Sequence, residues 1–372
     1  MSDTRRLAAG MICAGFTPEN RGVIDELIDA GLGAVILFSG NITGGPEQVA
    51  ELVGSLKARA GGRPLLVGID HEGGRVSRMR QGFSPVPSMR EVGAGITRTG
   101  DFGIAREVGQ IMGRELRAAG IDINFAPVVD VDTNPANPVI ADRSFGSDPA
   151  LVARAGAELV RGMQAEGVAA CCKHFPGHGD TSVDSHYGLP VVEHDFDRLE
   201  RVEIAPFRAG VEAGVACVMT AHVVVKALDP ERPATISPRV LGLLRAGGAV
   251  GGGASVPGLG FGGVIVSDDF EMKALADHFP FEEAVVAGVE AGLDMVCVCH
   301  TPDLQWRAIE SITERVPEER LRESGARLER LCARFWRPVS GDGAIDTGAH
   351  RAILARIGTG ATGTDPTEAW RG

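Results

Sequence analysis

The segment Lys173-His174-Phe175-Pro176-Gly177-His178-Gly179-Asp180-Thr181-Ser182-Val183-Asp184-Ser185-His186 concentrates three histidines, two aspartates and a lysine in fourteen residues. Side chains of these types move protons, grip hydroxyl oxygens and ligate metals. The apolar run 168–172 leads into the segment, so the cluster sits where a buried strand opens into a loop. Rigid scaffolds present chemistry at such exits. Asp184 and His186 are two residues apart and project the same way from extended backbone. The carboxylate can then accept a hydrogen bond from the imidazole, fixing its tautomer and raising its basicity, which makes a proton shuttle near neutral pH. A solvated loop histidine is the competing reading of the same spacing. Glycines upstream would let the pair swing over a bound substrate. His174, His178 and His186 are also candidate metal ligands, but Pro176 and Gly177 break the helix that a His-x-x-x-His site requires, so no metal and no cofactor are expected.

A second candidate is the run Gly262-Gly263-Val264-Ile265-Val266-Ser267-Asp268-Asp269-Phe270, which delivers a carboxylate straight from an apolar strand. A group held that rigidly and partly desolvated suits a nucleophile, the role expected of Asp268. Capping the next helix is the alternative, and Asp269 serves it as easily. Lys173, Arg143 and Arg78 are the cations available to hold a substrate's oxygens. Each is otherwise an ion-pair partner for Asp70, Asp130 or Asp142.

The elements that must position these groups are legible as a repeat. Short apolar runs at 11–16, 34–38, 64–70, 123–130, 168–174, 216–222, 263–268 and 294–300 read as strands. Helical periodicity follows at 19–30, 48–60, 103–119, 149–166, 196–213, 238–245, 282–291 and 302–316. Eight apolar strands, each followed by a helix, predict a parallel sheet closed as a single-domain (β/α)₈ TIM barrel over residues 1–340. A doubly wound open sheet is disfavoured because no Gly-x-Gly-x-x-Gly follows the first strand. Strand ends carry Asp70 with Glu72 and Arg75, Asp130 with Asp132, Lys173-His174, His222, Asp268-Asp269 and His300, whereas strand starts are mostly apolar or glycine. In such barrels the active site lies at those ends. Residues 246–262 read as a glycine-dominated surface excursion, and 341–372 as a short helix near 350–356 with a disordered Gly/Thr-rich end.

Bulk composition narrows the partners. With 44 % apolar and 23 % charged residues the chain reads as a folded soluble protein. A net charge of −12 argues against nucleic acid. Seven cysteines, an odd number without CxxC spacing, suggest free thiols in a reducing, cytoplasmic setting. No apolar run is long enough to span a bilayer, and the N-terminus makes a poor signal peptide.

Five motifs resemble those of family 3 glycoside hydrolases, in the single-domain bacterial β-N-acetylglucosaminidase branch. They are Ile69-Asp70-His71-Glu72-Gly73-Gly74-Arg75-Val76, Asn124-Phe125-Ala126-Pro127-Val128-Val129-Asp130, Asp142-Arg143-Ser144-Phe145-Gly146, the segment from Lys173 to His186, and Val266-Ser267-Asp268-Asp269. The likeness runs in unbroken order over residues 33–300 and weakens at both ends. It implies a retaining mechanism in which Asp268 is the nucleophile and His186, paired with Asp184, is the general acid/base. It further implies that Asp70, Arg78, Arg143, Lys173 and His174 bind the terminal sugar of a small β-N-acetylglucosaminide. Muropeptides from cell-wall recycling are the implied natural substrates. Phosphorolysis at the same site and a non-catalytic sugar-binding barrel are the alternatives.

Overall fold

The computed structural model describes residues 2–181, 188–249, 255–339, 345, 347–358, 365 and 367. Eight strands form one sheet: β1 Ile12–Gly15, β2 Ala34–Leu37, β3 Leu66–Ile69, β4 Ile123–Asn124, β5 Ala169–Phe175, β6 Cys217–Thr220, β7 Val264–Val266 and β8 Val296–Val298. Every neighbouring pair is parallel and adjacent in sequence order, and β8 returns to pair with β1 through Ile12 opposite Val296. A parallel bridge from Val266 to Met295 joins β7 to the start of β8 and closes the ring. The fold is the expected (β/α)₈ barrel. Its strands are buried on both faces because helices cover the outside and side chains fill the inside, which explains why they read as continuous apolar runs.

The departures from expectation have local causes. β4 stops at Asn124, six residues short of the expected end. Pro127 has no N–H to donate, so the ladder resumes only as an isolated bridge from Val128 to Lys173. The helix expected over 196–213 is two, Phe196–Arg201 and Ala205–Glu212, because Pro206 can start a helix but cannot continue one. Helices Asp3–Gly10, Met89–Thr99, Lys273–Ala276 and Glu318–Phe335 lie outside the expected segments. In the glycine-rich insertion, Gly247–Ala249 pairs antiparallel with Ser255–Pro257. The C-terminal helix is Thr347–Leu354, anchored where buried His350 bonds Glu115 at 2.7 Å. Among the described residues no helix is long and apolar enough to cross a membrane, and all seven cysteines are free thiols.

Buried charge also sits at the strand starts, at the opposite end of the barrel from the cluster. Asp294, fully buried, is held by Arg245 at 2.6 Å, Arg327 at 3.0 Å and Arg320 at 3.3 Å, and accepts the Ile265 N–H at 3.0 Å. Asp122 takes Lys57 at 2.8 Å and the Val67 N–H at 3.0 Å. These carboxylates knit helices and neighbouring strands together at the closed end. The expectation of apolar strand starts missed them.

Candidate active site

At the C-terminal ends of the strands, one hollow of about 70 Å³ is lined by Asp70, Arg143, Lys173, His174 and Asp268, with Phe38, Val139, Met219, Met272 and Cys299 among the apolar walls. Five of the eight residues singled out from sequence therefore meet there. Arg78, buried at 3 % exposure, stands beside them with its guanidinium 4.0 Å from Asp70. Asp184 and His186 lie outside the described residues. A larger groove of about 990 Å³ opens beside the helices Asp3–Gly10 and Glu318–Phe335, near the strand starts. It gathers none of these groups, and size alone does not make a reactive site.

Local structure explains how each group is aimed. β3 ends at Ile69, which leaves Asp70 on the rim, and the tight hairpin of His71–Gly73 with Val76–Ser77 turns Glu72 inward. Asn124 at the end of β4 clamps that hairpin, accepting the His71 N–H at 3.0 Å and donating to the His71 carbonyl at 2.8 Å. β5 delivers Lys173 and His174 consecutively. β7 ends at Val266, and Asp268 follows in the turn, where its carboxylate accepts the Asp269 N–H at 2.9 Å. Asp269 does not cap a helix, since Met272 precedes the short helix Lys273–Ala276. It accepts the Cys299 N–H at 3.1 Å instead, tying the ends of β7 and β8 together.

The charges form one buried lattice centred on Glu72. Its two oxygens take Arg143 at 2.8 Å each, from Nε and Nη2, and Lys173 at 2.6 Å. Lys173 also reaches Asp70 at 2.6 Å. Burial alone would push the Glu72 carboxyl up, but Arg143 and Lys173 outweigh it and hold it well below the usual range. Burial likewise works against the Lys173 ammonium, and Asp70 and Glu72 reverse this and raise it. Both cations therefore stay charged, with fixed N–H donors at the hollow. Asp130, fully buried, is pushed up by burial and pulled further down by His174 and His178. An ionised carboxylate only accepts, so the 2.7 Å contact of His174 Nδ1 with Asp130 places the proton on Nδ1. Nε2 lies on the side of Arg143, 3.5 Å away.

The loop after β5 is anchored at its base. His178 N–H donates to Asp130 at 2.7 Å, and Asn137 donates to the carbonyls of His178 at 2.8 Å and Gly179 at 3.1 Å. A side chain at Gly179 would meet the Val131 carbonyl at 1.9 Å, so this glycine permits close backbone packing. Close packing is thus the role of Gly179 at the base of the loop. Among the described residues no group of three or more His, Cys, Asp or Glu side chains forms a metal-binding arrangement. His174 faces Asp130, and His178 bonds Thr181 at 2.6 Å.

Two strand-end residues are structural. His222 bonds Thr235 at 2.8 Å and the Asp269 carbonyl at 2.8 Å within the core, and Asp132 pairs with Arg90. Sequence reading missed the apolar wall. Phe38 ends the second predicted strand, and an apolar strand end carries no sequence signal that separates a site wall from core.

Buried neutral histidines make an acid-stability prediction. Burial, aided by Arg78 and Arg80, lowers His71 from 6.5 to about 4, and burial, aided by His174, lowers His178 to about 4. Between pH 6.5 and 4 the unfolded chain binds these protons and the folded one does not, so stability falls as pH falls through that window. Each histidine contributes at most about 3 kcal/mol. Glu72 and Asp130, whose ionisation is favoured in the fold, add losses only below their ordinary values of 4.5 and 3.8. Denaturant midpoints should therefore decline from pH 6.5 downward, and His178→Gln should flatten the slope. A flat profile between 6.5 and 4.5 would count against buried neutral rings.

This geometry sets fixed donors, carboxylate acceptors and an apolar wall around one small hollow, the inventory a polyhydroxylated ligand needs. Residues 11–331 match the glycosyl hydrolase family 3 N-terminal domain. A β-hexosaminidase from Thiobacillus denitrificans is 41 % identical over 281 residues, 75 % of this chain and 74 % of that protein. One from Stenotrophomonas maltophilia is 38 % identical over 312 residues, covering 83 % and 87 %. Among solved structures, a family 3 β-N-acetylglucosaminidase from Paenibacillus sp. FPU-7 superposes with a TM-score of 0.86 at 39 % identity, covering 96 % of this chain and 68 % of that one. NagZ from Neisseria gonorrhoeae, bound to N-trifluoroacetyl-D-glucosamine, superposes at 0.78 and 32 % identity, covering 94 % and 98 %. With the barrel, the hollow and these matches in agreement, the chain belongs to glycosyl hydrolase family 3.

Proposed function

We propose that the protein is a retaining exo-β-N-acetylglucosaminidase. The carrying observation is the convergence of Asp268 with Asp70, Arg143, Lys173 and His174 on one hollow at the strand ends. In this reading the cations and Asp70 grip the hydroxyls of a terminal N-acetylglucosamine. Asp268 attacks the anomeric carbon, the bond to the leaving oxygen breaks, and His186 gives that oxygen its proton. His186, oriented by Asp184, then takes a proton from water as the water displaces Asp268, and the β configuration returns. A neutral imidazole puts no second negative charge beside the nucleophile, which is why phosphate is the alternative acceptor to exclude. Peptidoglycan-derived muropeptides are the proposed natural substrates. The seven free thiols support a reducing compartment, the cytoplasm.

Anomer-resolved NMR on chitobiose and on a GlcNAc–anhydro-muramic disaccharide tests this. The first-formed product should be β-N-acetylglucosamine, whether or not phosphate is present. An α product would refute retention, and sugar 1-phosphate would convert the reading to a phosphorylase. His186→Ala should slow substrates with poor leaving groups by about 10²–10⁴-fold and activated aryl glycosides far less. Equal losses on both would remove His186 from the acid role.

A further inference from the structure

Asp365 and Thr367 come from the far end of the chain, yet they lie on the sugar-side cation. The Arg78 guanidinium donates through Nη1 to Asp365 and through Nη2 to Thr367 Oγ1 at 2.5 Å. Among the described residues the Asp70 carboxylate also lies 4.0 Å from it, and the Phe38 ring centroid 5.9 Å. Asp365 is 9 % exposed, and Thr367 forms part of the wall of the hollow. The tail residues are braced against one another. Asp365 Oδ1 accepts from the Thr367 N–H at 2.9 Å and from its hydroxyl at 2.7 Å. A carboxylate and a hydroxyl thus offer Arg78 two adjacent oxygens, as two neighbouring sugar hydroxyls would.

We propose that Asp365 and Thr367 are residues of the sugar pocket that set substrate affinity by occupying Arg78. The inference rests on reading Arg78 as a sugar-binding cation. Both terminal nitrogens of the guanidinium are engaged, and a charge-assisted bond to carboxylate is stronger than one to a neutral hydroxyl. A sugar can take those donors only when the tail gives them up. Apparent affinity is then the intrinsic affinity scaled by the fraction of molecules in which Asp365 and Thr367 do not hold Arg78. The hollow of about 70 Å³ fits this account, being well below the roughly 300–1,000 Å³ usual for small-molecule sites. The competitor is part of the same chain, so dilution does not relieve it.

The test uses the full-length chain, an aryl β-N-acetylglucosaminide as substrate and free N-acetylglucosamine as inhibitor. Asp365→Ala should lower KM and the inhibitor Ki together, by roughly tenfold, the amount expected when one charge-assisted contact no longer has to be broken. Damage to a structural contact would instead lower kcat/KM. In an Arg78→Ala background, where KM should already be raised, Asp365→Ala should have no further effect. If Arg78→Ala raises KM while Asp365→Ala leaves KM and Ki unchanged or higher, the tail proposal alone is overturned. If Arg78→Ala leaves KM unaltered, the sugar-site reading of Arg78 fails and takes the tail proposal with it.

Discussion

Asp268→Asn should lower kcat by about 10⁴–10⁶-fold, on activated aryl glycosides as well as on natural-type linkages. The nucleophile is needed whatever the leaving group, so the loss should be insensitive to leaving-group acidity, unlike that of His186 variants. The amide matches the carboxylate in shape and can still accept the Asp269 N–H now held at 2.9 Å. Stability should therefore change by less than about 1 kcal/mol. The half-buried setting of Asp268 at the end of an otherwise buried strand makes this separation of activity from folding possible. With Asp268→Ala, azide should enter the vacated face and yield a glycosyl azide of inverted configuration. Turnover within tenfold of the parent on an aryl β-N-acetylglucosaminide would disprove the nucleophile assignment.

Glu72→Gln should carry the next largest loss, for a different reason. Glu72 is 1 % exposed and bridges Arg143 and Lys173, themselves 4 % and 2 % exposed. Removing the negative charge leaves Lys173 with Asp70 as its remaining carboxylate contact. It takes from Arg143 its ion-pair partner among the described residues, with Asp130 and Asp70 acting on it through space. Breaking a buried ion pair from one side costs about 3–5 kcal/mol, because the remaining charge is neither solvated nor compensated. Arg143 and Lys173 would also lose their fixed directions, so KM should rise by roughly 10²-fold, a loss of the bidentate clamp. Denaturant unfolding and steady-state kinetics on the same preparation check both parts. Parental stability together with parental KM would show that the lattice does not depend on Glu72.

Much of the positioning machinery is legible in the amino-acid sequence. The eight apolar runs register as strands because both faces of a parallel barrel strand are dry, and helices follow because parallel connections require a crossover. Some signals were present but unread. Ser88 and Glu91 form a capping box, with Ser88 N–H on Glu91 at 3.0 Å and Glu91 N–H on Ser88 at 3.3 Å, and Gly100 closes the same helix at φ 73°. Pro127 and Pro206 likewise announced the shortened strand and the broken helix.

What the residue string determines alone is short-range or periodic: strand and helix periods, the interruptions at proline, and the motifs holding Asp70, Arg143, Lys173, His174 and Asp268. Whether a carboxylate is chemistry or masonry is settled through space. Asp294 and Asp268 both flank apolar strands, yet three arginines from outside the strands neutralise the first while the second lines the hollow. Arg143 finds Glu72 from 71 residues away, and Asp365 reaches Arg78 across 287. Pairing and desolvation depend on which distant neighbours arrive, and only the closed barrel brings them together.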